Sequence, residues 1–282
     1  TLQLDGEIVV SGRAQHELTV GQTHLDLRLT VDQPRLWYPN GHGDQPLYKL
    51  HVRVLTVDDA ELDQRSVTLG IRKIELVAND CDSPDALPYT FVVNGAKIYA
   101  KGWNWVPIDV LYGVPRPEKL ERLFTLAQRA HVNLLRVWGG GLIEREAFYD
   151  LADRMGIMVW QEFIQSSSGI DNEPPDAPDH IAMLVREAEQ ITPRKRNHPS
   201  LAIWCGGNEL TAAENVPLGD DHPLLAALKA AVARLDPDRL WLATSPTGPV
   251  FSNSLENIER DPNSLHDVHG PWEYQGVRGQ YD

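Results

Sequence analysis

Apolar and polar residues alternate through the first quarter of the chain, and the rhythm then changes. His24-Leu25-Asp26-Leu27-Arg28-Leu29-Thr30-Val31 alternates as a half-buried strand does. Leu50, Val52 and Val54 repeat the pattern, as do Val67, Leu69 and Ile71. Between them lies Pro39-Asn40-Gly41-His42-Gly43-Asp44, a run of turn formers. Short alternating strands with turn signals and no helical stretch predict a small β-sandwich over residues 1–78. The boundary is expected in Asn79–Pro88, where Asp, Ser and Pro accumulate.

From about Tyr89 the pattern becomes strand–helix alternation. Pro117–Ala130 places Leu120, Leu123, Phe124 and Ala127 on one helical face, with Pro and Glu in the first turn. A second helix carries Phe148, Leu151, Ala152 and Met155 and stops at Gly156. A polar loop, Ser166 to Asp179, precedes a third helix with Ile181, Leu184, Val185 and Ala188 at helical spacing. Leu224–Leu235 is the fourth. The strands read as Lys97–Ala100, Leu134–Trp138, Ile157–Trp160, Leu201–Cys205, Leu240–Thr244 and Ser264–Val268. Repeated β–α units predict a parallel sheet covered by helices. A doubly wound nucleotide-binding sheet should open on G-x-G-x-x-G, and Gly139-Gly140-Gly141 lacks that spacing. The polar residues Trp103-Asn104, Arg136 with Trp138, Gln161-Glu162, Asn208-Glu209 and His269 fall at strand C-termini, where a β/α barrel builds its mouth. The second unit is therefore expected to be a partial barrel of about six strands over residues 79–282.

Composition narrows the function. The 282 residues carry 26 basic and 40 acidic side chains, a net charge of −14. That argues against nucleic acid, which needs a clustered basic face, and against an anionic membrane surface. The run Arg194-Lys195-Arg196 reads as a solvated helix end. Two cysteines, Cys81 and Cys205, offer neither a disulfide framework nor a zinc-ligand spacing. His266 and His269 flank Asp267 without a third ligand, so no metal site is expected. No apolar run is long enough to span a bilayer. The compartment is left open, because Thr1 is followed by no signal-like stretch.

The sharpest chemical feature is Trp204-Cys205-Gly206-Gly207-Asn208-Glu209, an apolar strand running into two glycines, an amide and a carboxylate. A poorly solvated Glu there can act as a general acid, with Asn208 bonding a sugar hydroxyl. The same pair would equally serve a helix start, Asn as N-cap and Glu in the first turn. Its place among convergent polar and aromatic groups favours chemistry. Trp138 and Trp272 near strand ends, with Trp103, offer flat faces for sugar rings, whereas mid-strand Trp204 reads as core. Arg136 either orients a carboxylate or forms a buried ion pair, and Glu162 and His269 complete the candidates.

At these residues the sequence resembles glycoside hydrolase family 2, and within it the β-mannosidase branch. The matching stretches are Leu36–Gly43, Lys101–Pro107, Leu135–Gly141, Phe148–Leu151, Gly156–Phe163 and Asn197–Ser200 leading to Asn208-Glu209. The resemblance implies an immunoglobulin-like sandwich followed by a β/α barrel, and retaining hydrolysis of terminal β-linked mannose without a cofactor. It makes Glu209 the general acid/base and Asn208 the contact to the sugar 2-hydroxyl. Trp138, Trp103, Arg136, Glu162, Trp272 and His269 become substrate-binding residues. Sister activities are exo-β-glucosaminidase and endo-β-mannosidase, and a non-catalytic carbohydrate-binding module is the alternative outside enzymes.

A retaining glycosidase needs a second carboxylate about 5–5.5 Å from the acid. The family carries it after a seventh strand, and the count here stops at about six. The chain is therefore expected to hold the acid/base half of a longer enzyme's site and to be inactive alone. Its partners are a carbohydrate and other copies, since open parallel edges invite self-association.

Overall fold

The computed structural model describes residues 1–18, 20–80, 86–166, 172–252 and 267–269. The N-terminal part holds β1 (Leu2–Leu4), β2 (Glu7–Val10), β3 (Tyr48–Leu55) and β4 (Glu61–Leu69), joined antiparallel in the order β2-β1-β3-β4. The alternating segment 24–31 is not a strand; it is irregular, and Leu25 and Leu27 stay exposed. Alternation chooses a face, but a strand also needs a backbone partner, and this segment finds none among the described residues.

A second, antiparallel sheet contains β5 (Ile74–Val77), β6 (Thr90–Val93) and β7 (Ala96–Ile98). The expected first barrel strand at Lys97–Ala100 is thus corrected, because β7 pairs back onto β6. Asn94 and Gly95, at φ +51° and +84°, make the two-residue turn whose twist suits a hairpin. Ile74, Phe91, Val93 and Ile98 pack with Met158, Ala202 and Ile203 and so close the lower end of the next sheet.

That sheet is parallel, ordered β14-β11-β10-β9-β8. Its strands are β8 (Gly102–Trp105), β9 (Leu134–Val137), β10 (Met158–Glu162), β11 (Leu201–Cys205) and β14 (Leu240–Leu242). Helices α1 (Pro117–Arg129), α2 (Glu146–Met155), α3 (Pro178–Lys195) and α4 (Pro223–Leu235) alternate with them. A small excursion, β12 (Thr211–Ala212) against β13 (Val216–Pro217), follows β11. Of the sixth expected strand, Ser264–Val268, residues 264–266 lie outside the described residues, and 267–269 are irregular. The helices bury Phe124, Phe148, Leu184 and Leu228 against Leu135, Val137, Val159 and Trp204 on the outer face of the sheet. Trp204 is core, as expected, and stacks on Phe163 at 5.2 Å.

The N-terminal part grips the lower end of this sheet. Trp37 is fully buried, and its Nε1 donates to the Asp153 carbonyl at 2.8 Å. Asn40 donates from its backbone to the Gly156 carbonyl at 2.6 Å and from Nδ2 to the Val132 carbonyl at 3.0 Å. It thereby satisfies acceptors left open where α1 and α2 end. Arg72 reaches the carbonyls of Pro199 and Leu201 at 3.1 and 2.8 Å.

Asp153, on α2, is the hub beneath. Its carboxylate accepts from the Ser200 amide at 3.0 Å and bonds His198 Nδ1 at 2.7 Å. His198 Nε2 meets Glu146 at 3.1 Å, and Lys195 meets Glu146 at 2.7 Å. Lys195 is buried, with its ammonium 4.3 Å from the Tyr149 ring, so the expected solvated basic run is corrected at that residue. Helix α3 ends against α2, and the charge comes with it. Asp150, Asp153 and His198 lie close enough together to hold an ion, but both His198 nitrogens already face Asp153 and Glu146.

Burial alone would lower the His198 pKa; bonds and charge from Asp153 and Glu146 outweigh it and raise it. A raised folded pKa gives stability that is full below the unfolded value of about 6.5 and is lost as pH rises through the folded value. The urea midpoint should therefore fall as pH rises from about 6 to 8, and His198→Gln should remove that part of the slope. Trp37→Ala should cost about 3–5 kcal/mol in the same unfolding experiment.

Candidate active site

In a parallel sheet, residues side by side share a face, and successive residues alternate faces. The register pairs Asn104 with Arg136, Arg136 with Trp160, and Glu162 with Cys205, all opposite the face that meets the helices. Four neighbouring strands, β8 to β11, thus bring an amide, a guanidinium, a carboxylate and a thiol together at their C-terminal ends.

Glu162 is 1% exposed and lies between partners on every side. Arg136 Nε and Nη2 approach its Oε1 at 2.8 and 2.7 Å, and the Gly139 amide donates to its Oε2 at 2.6 Å. The Cys205 sulfur is 3.9 Å from Oε1. Burial pushes the Glu162 pKa up to about 7, against the lowering pull of Arg136 and the Gly139 amide. The same burial, with Glu162 adding to it, holds the Cys205 thiol well above its ordinary value. Arg136 also donates from Nη1 to Asn104 Oδ1 at 2.9 Å and from Nη2 to Asn208 Oδ1 at 2.6 Å. The ion-pair reading of Arg136 describes its contact with Glu162, and the same guanidinium also holds the Asn208 amide.

Asn208 and Glu209 follow β11 on a bend that no helix continues. Glu209 sits at φ +55°, its amide donates to the Ser245 carbonyl at 2.7 Å, and the short β12–β13 pair comes next. The helix-start reading of this pair is therefore corrected. Glu209 Oε1 lies 2.9 Å from His269 Nδ1, and His269 Nε2 lies 3.1 Å from Ser245 Oγ. Asn208 Nδ2 donates to Ser166 Oγ at 3.0 Å.

Gly139 shows why the chain is glycine-rich beside Trp138. A Cβ there would stand 2.3 Å from the Gln165 carbonyl oxygen, so only glycine lets the 138–141 turn press against residues 163–165. Trp138 is half-buried just beyond β9, anchored by its amide to the Trp105 carbonyl at 3.0 Å.

The structure does not bring Trp103 to this cluster. It pairs with Leu135 on the helix-side face, the face of Trp105, and it is 43% exposed at the sheet edge. Gln161 likewise turns away from the mouth and accepts from the Tyr149 hydroxyl at 2.5 Å. Trp272 and His266 lie outside the described residues. Ser166, Ser245 and the Gly139 amide were not among the expected residues. Asn104, expected at the mouth but given no role there, stands beside Arg136 once β8 and β9 are aligned. A cleft of about 130 Å³ between the loops after β8 and β9, lined by Pro107, Ile108, Tyr112 and Leu120, includes none of the expected residues.

Comparison with known proteins gives the family. Residues 1–72 match the family model "Glycosyl hydrolases family 2", and residues 89–253 match "Glycosyl hydrolases family 2, TIM barrel domain". The chain belongs to glycosyl hydrolase family 2. Its relatives include beta-mannosidase B of Thermothelomyces thermophilus, 36% identical over 74% of this chain and 24% of that protein. Beta-mannosidase of Rattus norvegicus is 31% identical over 91% of this chain and 31% of that protein. Among solved structures, the beta-D-mannosidase of Dictyoglomus thermophilum superposes with a TM-score of 0.71 at 33% identity, covering 88% of this chain and 30% of that one. The chain therefore spans between about a quarter and a third of the length of these relatives.

Gly139→Ala should destabilise the fold by about 1–3 kcal/mol, read from the urea midpoint, because the methyl group displaces a backbone carbonyl. Glu162 should also leave a trace. An acid whose folded pKa lies above its unfolded value loses stability as pH rises between the two, here from about 4.5 to about 7. Unfolding midpoints measured across that window should fall, and Glu162→Gln should flatten the difference.

Proposed function

We propose that this chain carries the acid/base half of a retaining exo-β-mannosidase site. The observation that carries the reading is Asn208-Glu209 standing on a bend after β11, with Asn208 bonded to Arg136 and Glu209 to His269. Glu209 protonates the departing glycosidic oxygen while a carboxylate attacks the anomeric carbon, and Glu209, then ionised, takes a proton from the water that releases the sugar. Asn208 binds the hydroxyl next to the reacting carbon, and Trp138 lines the pocket. Protons and charge are handled by side chains throughout, so the chemistry calls for no cofactor.

The attacking carboxylate is proposed to come from outside this chain. In support, the chain spans only part of its relatives' length, and Glu162, the carboxylate nearest Arg136 and Asn208, is enclosed by Arg136, Gly139 and Cys205. The same proposal includes a sandwich over residues 1–78 and a partial barrel of about six strands over 79–282. It also includes self-association, because β8 and β14 are the outer strands of the described parallel sheet and expose pairing groups. The activities for which these relatives are named favour mannosides over glucosaminides.

The purified 282-residue chain should not hydrolyse 4-nitrophenyl β-D-mannopyranoside above the buffer rate. Extended to the length of its relatives, it should hydrolyse this mannoside in preference to the glucosaminide, and Glu209→Gln should lower the rate by about 10²–10⁴-fold. Hydrolysis by the 282-residue chain that Glu209→Gln abolishes would overturn the division of the site.

A further inference from the structure

We propose that Glu162 is a positioning residue: by clamping Arg136, it locks the amide of Asn208 with its oxygen inward and its nitrogen toward the mouth, so the sugar meets a hydrogen-bond donor. The inference rests on the reading of Asn208 as a sugar contact and assigns Glu162 a part in it without touching sugar.

The argument starts from donor arithmetic. A guanidinium has five N–H donors and no acceptor. Four of the Arg136 donors have partners: Nε and one Nη2 hydrogen on Glu162, one Nη1 hydrogen on Asn104, and the second Nη2 hydrogen on Asn208 Oδ1. An acceptor-only atom must stand 2.6 Å from Nη2, so Asn208 cannot present its NH₂ there without opposing donor to donor. Its Nδ2 therefore points the other way, where one hydrogen goes to Ser166 Oγ. The second Nδ2 hydrogen has no partner among the described residues, and it is the atom a sugar hydroxyl would meet as acceptor.

The lock is as firm as Arg136 is fixed, and Glu162 fixes it. The carboxylate is itself held by the Gly139 amide at a glycine that the packing requires. Protonating Glu162 removes the charge that draws Nε and Nη2 together, and the guanidinium is then free to turn. The Asn208 amide loses its reason to keep one orientation. The groups facing Glu162 are Arg136 and Gly139 from the β9 side, the Cys205 thiol from β11, and Asp267, whose charge adds to the rise of its pKa. His269 and Glu209 are the other titratable pair at the mouth.

The test is nuclear magnetic resonance of the 282-residue chain, labelled with ¹⁵N in asparagine and ¹³C at the glutamate carboxyl. The Asn208 side-chain amide is assigned by its loss in Asn208→Ser. Expected is one sharp Nδ2 pair at pH 8.5 that shifts on acidification with a midpoint near 7, coincident with the Glu162 carboxyl. Glu162→Gln should abolish this transition and place the pair at its acid-form position, whereas Glu162→Asp should keep a transition. An Asn208 pair that stays fixed while the Glu162 carboxyl signal passes through its own transition overturns the proposal, and so does a pair unmoved by Glu162→Gln at pH 8.5. So does the same transition persisting in Glu162→Gln, which would assign it to His269 or Asp267. Mannoside hydrolysis tests the functional reading separately, because the amide signals report the lock whether or not sugar is turned over.

Discussion

A carboxylate removed from water has to find a cation and donors, and at Glu162 that demand organises the top of the parallel sheet. Breaking a buried charge pair by removing one partner costs about 3–5 kcal/mol, a large share of the 5–15 kcal/mol that holds an ordinary domain together. The pair also fixes register. A slip of one residue between β9 and β10 would carry Arg136 into the apolar layer under the helices. Such a slip would leave Glu162 buried without compensation. Side-chain alternation, charge pairing and the Gly139 turn therefore agree on one alignment, and that alignment is the one that places Asn208 over Arg136.

The lower end of the sheet solves a different problem. Helix ends and the entry to β11 leave carbonyls to be paired, and Asn40, the Trp37 indole and Arg72 take several of them up. Asp153 draws Ser200, His198 and the end of α3 to the same place. The motifs that carry the family resemblance divide along this line. Leu36–Gly43, Phe148–Leu151 and Asn197–Ser200 hold elements together below. Leu135–Gly141 and Asn208-Glu209 build the mouth above. A barrel keeps its chemistry at the C-terminal face and its stability at the other, and these stretches sort themselves in that way.

What the sequence disclosed follows from the range of each interaction. Helices α1, α2 and α4 and strand β11 are legible because their signals are local: a proline at the first turn, a glycine at φ +69° after α2, a periodic apolar face. Misreadings arise where a distant partner decides. Residues 24–31 alternate well but meet no strand among the described residues, whereas Ala96–Ile98 find β6 through the Asn94-Gly95 turn. Lys195 looks solvated in a basic run and is drawn inward by Glu146 and Tyr149 on another helix. Trp103 belongs to a sugar-lining pattern by composition, but its parity in β8 is that of Trp105, and parity depends on where the strand begins. The structure brings the candidate residues Arg136, Glu162, Asn208 and Glu209 to one end of the sheet, as their strand-end positions suggest, but their connections were illegible, because hydrogen bonds between strands leave no spacing in the chain.

Catalysis of acyl or glycosyl transfer gains most from groups already oriented before substrate arrives. Under the proposed function, the acid/base half would meet that condition with its own residues. Arg136, Glu162, Asn104, Asn208 and Ser166 are bonded in one network, and Glu209 has His269. None of these bonds calls for a residue beyond those described. On the proposal for Glu162, the orientation of Asn208 is set by folding, through its bonds to Arg136 and Ser166. A carboxylate brought in from elsewhere would meet a surface whose donors already point one way. On the proposed function, preorganisation of this kind would let two separately folded portions of a site share one reaction, with only the approach of the nucleophile left to assembly.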